Sequence, residues 1–286
     1  MIHYFINEDG QYISCKYWNS TPAPSALLFI SHAAAEHCKR YANIATSLQS
    51  LNIMVFSHDH VGHGRSQGDR MTVSSFNVFP RDILRHVNIV KKSYPNIPIY
   101  ILGHSMGGTA ALIAISMEPN TFAGLILLSP LVVENADYVS PFKLFTTKVL
   151  KGLAPNVIVG KINPEQITRN KLEVASYNTD PYVCNGNIKV AFAAEVLKGI
   201  NSVRKIITSI SVPMLILHGT ADYLCDIQGV YMLMETMKSP DKTLRVYQDA
   251  FHSLHIELPD IVSSVLSEIN KWLHERNPPP IFESDC

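Results

Sequence analysis

The sequence predicts an α/β protein with a mostly parallel sheet and helices on both faces. Short continuous apolar runs recur at residues 26–30, 53–56, 97–102, 123–128 and 212–217, as strands covered on both faces must read. Stretches of helical spacing separate them, and such alternation argues for parallel strands joined by helical crossovers. Polar or glycine-bearing segments follow the runs, so chemistry-bearing residues should gather beyond the carboxyl ends of the strands.

In chain order, residues 12–18 (YISCKYW) form a strand after the Asp9-Gly10 turn, and 19–25 form a loop with two prolines. The strand at 26–30 ends in Ser31-His32-Ala33-Ala34-Ala35-Glu36-His37. Residues 41–51 have helical spacing, with Ile44, Leu48 and Leu51 on one side. The strand at 53–56 runs into SHDHVGHGRS, a turn rich in glycine and polar groups. A helix over 74–94 aligns Ile83, Val87 and Val90 and stops at Pro95. The strand at 97–102 leads through Gly103-His104-Ser105-Met106-Gly107 into a helix over 109–117, and the strand at 123–128 closes at Ser129-Pro130.

The alternation breaks from about 134 to 204, where no strand is expected. Short helical patterns, loops and prolines there read as a cap inserted over the strand ends. Over 141–153, Phe142, Phe145, Val149 and Leu153 share one helical face and Lys143, Lys148 and Lys151 the other. Such a helix either faces the core or rests on a lipid surface. A strand at 212–217, a helix at 229–237, a strand at 243–248 and a closing helix within 254–276 complete a single domain over 1–286. A proline-rich tail follows from 277.

Composition excludes several classes. The 286 residues are 47% hydrophobic, ample for one large core. Lys+Arg and Asp+Glu are both 24, so no basic face advertises nucleic acid. The five cysteines, Cys15, Cys38, Cys184, Cys225 and Cys286, are scattered without a CxxC pair, as reduced thiols in a cytosol-like compartment would be. MIHYFINEDGQ shows no apolar signal region, and no apolar run reaches the ~18 residues of a membrane span. The expectation is a cytoplasmic protein that meets membranes only at their surface.

The chemistry centres on Gly103-His104-Ser105-Met106-Gly107, a G-x-S-x-G sequence between an apolar strand and a helix. This context makes a nucleophile elbow, which exposes the serine hydroxyl and aims a helix N-terminus at the reacting carbon. A serine needs a base, and the base needs an acid to fix its tautomer. In this architecture the acid and then the histidine follow the serine in sequence. Asp222 follows one late strand and His252 the next. Asp226 and His255 are rivals, but each lies farther from its strand end. His218 packs or bonds backbone, and His104 either faces substrate or makes a structural hydrogen bond. Oxyanion donors are expected from the Met106 N–H and from the loop at 32–37. His58, His60 and His63 superficially match a zinc pattern, but Gly62 stands where that pattern needs aspartate, so neither metal nor other cofactor is expected.

SHAAAEHCKRY, FSHDHVGHGRSQGDRM, LGHSMGG, RNKLEVASYNTDP, GTADYLCD and HSLHIELP together resemble the monoacylglycerol lipase family, which has poxvirus-encoded relatives. The resemblance runs from about Asp9 to Trp272, cap included. It implies an α/β-hydrolase cleaving monoacylglycerol to fatty acid and glycerol, with Ser105, Asp222 and His252 as catalytic triad. It also implies oxyanion donors at Ala34 and Met106, a headgroup pocket of Glu36, Arg40, His104, Tyr177 and His255, and a thiol, Cys225, near the site. One departure stands out: the family's H-G-x-G is His32-Ala33-Ala34-Ala35 here, which strains the loop if either alanine needs a positive φ. The alternatives are a lysophospholipase or carboxylesterase on the same triad, or a catalytically weak lipid-binding protein.

Overall fold

The computed structural model describes residues 2–18, 23–133, 154–184 and 187–277. The expected cap helix at 141–153 and the tail beyond 277 lie outside them.

The strands are β1 (Tyr4–Ile6), β2 (Tyr12–Trp18), β3 (Ala26–Ser31), β4 (Ile53–His58), β5 (Ile99–His104), β6 (Gly124–Leu128), β7 (Ile158–Lys161), β8 (Asn187–Lys189), β9 (Met214–Gly219) and β10 (Lys242–Tyr247). Eight of them form one sheet in the order β1-β2-β4-β3-β5-β6-β9-β10. Only the β1–β2 and β2–β4 pairs are antiparallel; the other pairs are parallel. The helices are α1 (Ala42–Ser47), α2 (Val78–Lys91), α3 (Met106–Met117), α4 (Lys171–Thr179), α5 (Val190–Ile206), α6 (Gln228–Thr236) and α7 (Pro259–Arg276).

The apolar runs are continuous because both sheet faces are covered. Along β3, Leu27 and Phe29 join the core layer that includes residues of α2, α3 and α5. Leu28 and Ile30 join the opposite layer with α1 and α7. Two-residue periodicity sends alternate side chains to opposite layers.

Three expectations need correction. The single helix expected at 41–51 is instead α1 between two 3₁₀ turns, Cys38–Tyr41 and Gln49–Leu51, ended by Asn52 in the left-handed region at φ 53°. Asn is among the few residues that adopt that conformation readily. The insertion holds strands after all: β7 and β8 pair antiparallel. They lack the apolar signature of the main sheet because β7 lies largely exposed. β1, three residues long, was also not expected; only Phe5 is buried in it.

His58, His60, His63 and His86 are fully buried between the sheet and α2, against Phe5, Phe29, Phe79 and Phe192. His58 and His86 bring their Nδ1 atoms within 3.2 Å, and His60 bonds Ser31 Oγ at 3.0 Å. Burial holds His58 and His60 well below the ordinary imidazole value and pushes His63 and His86 down to about 3. Unfolded histidines take up protons near pH 6.5 while these stay neutral in the fold. The unfolded state therefore binds more protons, and stability falls as pH drops below about 6.5, by about 1.4 kcal/mol per pH unit for each such histidine. Urea denaturation at about pH 7 and about pH 5 checks this: the midpoint falls on acidification, and less steeply in His63→Gln.

Candidate active site

The elbow is built by backbone crowding. β5 runs into Ser105, whose φ of 54° and ψ of −120° turn the chain directly into α3. This is a conformation that L-residues hold only when the surroundings enforce it. A Cβ on Gly103 would lie 2.6 Å from the Gly107 carbonyl oxygen, and one on Gly107 would lie 2.1 Å from that of Ser31. Glycine is required at both places, and the end of β3 is thereby pressed against the elbow. The Ser105 N–H donates to the Leu128 carbonyl at 3.0 Å, and the Ser105 carbonyl accepts from Leu131 N–H at 3.1 Å.

Asp222 and His252 follow β9 and β10. The His252 Nδ1–H donates to Asp222 Oδ2 at 2.8 Å, while Asp222 Oδ1 accepts the N–H groups of Leu224 and Cys225 at 2.8 and 2.9 Å. An ionised carboxylate only accepts, so this bond fixes the proton on Nδ1 and leaves Nε2 as a base. Burial raises the Asp222 carboxyl, but His252 and the backbone donor hold it below the usual value. Burial likewise disfavours a charged His252, yet the Asp222 carboxylate outweighs it and sets the imidazole well above its ordinary value.

Ser105 Oγ lies 3.7 Å from Cys225 Sγ, its hydrogen-bonding partner in this conformation, and no hydrogen bond joins it directly to His252. Such catalytic bonds commonly tighten only with substrate present. Asp222, Cys225 and His252 place possible ligand atoms within 4.8 Å of one another. They suit a metal poorly: the Asp and His atoms already bond each other, and burial raises the Cys225 thiol, whereas a metal takes thiolate. The rivals go elsewhere. Asp226 Oδ1 accepts the Gln228 N–H at 2.9 Å, and His255 stacks on Tyr41; His218 Nε2 bonds the Cys225 carbonyl at 3.1 Å.

The loop after β3 is pinned by His32, whose Nδ1–H bonds the Ala33 carbonyl at 2.7 Å and whose Nε2 accepts the His60 N–H at 2.9 Å. The Ala34 N–H has no backbone acceptor among the described residues, and Met106 N–H opens α3, where helix N–H groups lack intrahelical partners. Of the two unusual alanines, Ala35 takes φ 65° and Ala33 does not. The loop strain therefore falls on Ala35 alone.

The five expected headgroup residues converge beside this loop. Tyr41 Oη, not singled out in the sequence, joins them: it donates to Glu36 Oε1 and accepts from His104 Nδ1 at 2.7 Å. Glu36 Oε1 also accepts the Ala33 N–H at 3.0 Å. His255 stacks on Tyr41 at 4.5 Å, and the Arg40 guanidinium lies over the Tyr177 ring at 5.2 Å. Burial opposes the Glu36 charge, but bonding and attraction from His104, His255 and Arg40 hold it well below the carboxylate range. His104 Nε2, both His255 ring nitrogens, Tyr177 Oη and two Arg40 nitrogens are buried without hydrogen-bond partners. Buried polar atoms left so are costly unless a ligand or water meets them. Tyr41 was missed because it reads only as the first residue of an apolar helical pattern; its hydroxyl role depends on His104, far away in sequence.

A sheet that carries its serine between β5 and α3 and its acid and histidine after β9 and β10 is the architecture of the α/β-hydrolases, and this site has the chemistry of a serine ester hydrolase. The family profile described as serine aminopeptidase, S33 matches residues 22–259. Human monoglyceride lipase is 47% identical over 96% of this chain and 90% of its own. A monoglyceride lipase homologue of monkeypox virus is 44% identical over 95% of this chain and 97% of its own. A soluble variant of the Saccharomyces cerevisiae monoglyceride lipase, solved with a substrate analogue, superposes with a TM-score of 0.84 at 21% identity, covering 98% of this chain and 96% of that one. The chain belongs to the monoglyceride lipase family.

Glycine at 35 would relieve left-handed strain worth about 1–2 kcal/mol, which offsets about 0.4–1 kcal/mol of added unfolded-state entropy and about 0.8 kcal/mol for the lost buried methyl. Ala35→Gly is therefore expected to leave the urea midpoint nearly unchanged and Ala33→Gly, which relieves no such strain, to lower it, and equilibrium denaturation of the two variants checks the difference.

Proposed function

We propose that this protein hydrolyses monoacylglycerols to fatty acid and glycerol through an acyl-enzyme on Ser105. The observation that carries the reading is the Asp222–His252 bond at 2.8 Å beside a serine held on a strained elbow. His252 Nε2 takes the Ser105 proton as Oγ attacks the ester carbonyl. The Ala34 and Met106 N–H groups receive the oxyanion. The imidazolium then protonates the departing glycerol oxygen, and the ester C–O bond breaks. A water activated by His252 in the same way releases the fatty acid and restores Ser105. Glu36, Arg40, His104, Tyr177 and His255 bind the glycerol hydroxyls; the buried atoms of His104, His255, Tyr177 and Arg40 that lack hydrogen-bond partners support this.

Oxyanion donors work by being in place before charge develops. Anchoring of the Ala33 N–H to Glu36 and Tyr41 keeps the neighbouring peptide group from swinging. The same Glu36–Tyr41 pair thus supports both the oxyanion loop and the headgroup pocket.

The substrate is delivered from a lipid surface through the cap. No described helix is long and apolar enough to cross a membrane. Val157, Ile158 and Val159 nevertheless stand 46%, 56% and 43% exposed on the cap ribbon, apolar surface suited to a bilayer interface.

Three outcomes test the reading. Ser105→Ala loses both fluorophosphonate labelling and fatty-acid release from a monoacylglycerol, whereas equal hydrolysis by wild type and variant would overturn the mechanism. The base must be neutral and its imidazole sits above the ordinary value, so labelling rises with pH along a limb above about 6.5; Asp222→Asn lowers that limb and slows labelling by on the order of 10⁴. Replacing Val157, Ile158 and Val159 with serine weakens binding to net-neutral phospholipid vesicles by about tenfold, measured by co-sedimentation, and leaves hydrolysis of a soluble ester unchanged.

A further inference from the structure

Glu257 is a fully buried carboxylate outside the site described above. Its Oε1 accepts the Phe251 N–H at 3.1 Å and Arg169 Nε at 2.5 Å. Its Oε2 accepts the N–H groups of Arg169 and Leu258 at 3.1 and 2.8 Å, and lies 3.2 Å from the Thr168 hydroxyl, whose one proton it shares with the Ile256 carbonyl. Three bonds run alongside. Ser253 N–H donates to the Ile167 carbonyl at 2.8 Å, Thr168 Oγ1 donates to the Ile256 carbonyl at 2.9 Å, and Asn170 Nδ2 donates to the Glu257 carbonyl at 3.4 Å.

Residues 167–170 lie at the base of the cap insertion, just before α4, and 251–258 carry His252 and His255. The residues on either side of His252 are therefore both anchored to the cap: Phe251 through Glu257 and its Arg169 partner, and Ser253 through the Ile167 carbonyl. A carboxylate that served only to cap α7 would need its Leu258 bond alone. Here most of its accepting capacity goes to the segment before α4 and to Phe251. The Arg169 guanidinium also lies 6.0 Å from the centre of the Phe251 ring, so one cation holds both the carboxylate and the residue preceding the imidazole.

We infer that Glu257, clamped by Arg169, is a positioning residue that ties the His252 loop to the segment before α4 and so sets where the imidazole stands. This rests on the reading of His252 as the base. In the conformation seen, Ser105 bonds Cys225 and not His252, so the reaction requires the Ser105 hydroxyl and the imidazole to come together, and the seam that Glu257 closes holds the imidazole's side of that approach.

The test compares Arg169→Ala, Arg169→Lys and Glu257→Gln with Lys171→Ala, which removes only an exposed ion pair to Glu165. The readouts are kcat and KM on a monoacylglycerol, the pH profile of fluorophosphonate labelling, and Tm. A misplacement of the base of this kind costs between about 10-fold and 100-fold in kcat with little change in KM. Arg169→Ala is expected to show that loss, with the acidic limb moved to lower pH because a looser Asp222 contact stabilises the imidazolium less. Arg169→Lys should recover part of the rate, and Lys171→Ala should match wild type. Glu257→Gln, if folded, should resemble Arg169→Ala; if it fails to fold, the variants at the partly exposed Arg169 decide. A lower Tm with unchanged kcat and pH limb in Arg169→Ala would overturn the inference and leave Glu257 a structural staple. Wild-type protein that is not labelled at all would instead overturn the reading of Ser105 and His252, so the two failures are distinguishable.

Discussion

The constraint on which the rest depends is the close passage of backbone through the elbow. Ser105 holds its left-handed conformation because β5, α3 and the end of β3 converge with no side chain between them at 103 and 107. A conformation of this kind costs on the order of 1–3 kcal/mol and survives only where the surroundings over-determine it. The buried parallel strands on either side supply that determination. β5 is bonded to β3 and β6 along its length, so the turn has no room to relax.

Around that fixed point the other groups are hung from separate strand ends. Asp222 follows β9 and is itself oriented by two backbone N–H donors, so the histidine it holds inherits a defined direction. The loop after β3 is held by histidine and tyrosine rather than by glycine. His32 bridges to His60, and Tyr41 ties Glu36 to His104. Alanine at 35 is tolerated there because the side chain is buried in a core layer and its carbonyl accepts the Cys184 N–H at 2.8 Å. The loop after β3 and the polar pocket are thus one hydrogen-bonded unit, in which burial pushes the His104 and His255 imidazoles below their ordinary value while the Glu36 carboxyl is held below its own.

Much of this was readable from the chain. Apolar runs located β3, β4, β5, β6 and β9 because strands covered on both faces are mostly apolar along their length. The order of serine, aspartate and histidine after successive strands located Ser105 on its elbow and the Asp222–His252 pair, which the fold joins at 2.8 Å. The small β7–β8 ribbon was not readable, since exposed short strands leave no burial pattern. The roles of Tyr41 and Glu257 were not readable either, because each depends on partners far off in sequence: His104 for the tyrosine, Thr168, Arg169 and Phe251 for the glutamate.

The sequence by itself determined the layered α/β architecture and the tight turn at Ser105, because both follow from local periodicity and from the steric demands of glycine. Only the tertiary structure decided which alanine carries the strain, that Ser105 faces Cys225, and that the neighbours of His252 are held by Ile167 and Glu257. Those outcomes depend on which groups meet across the packed interior, and hydrogen bonds between distant segments leave no trace in the spacing of residues along the chain.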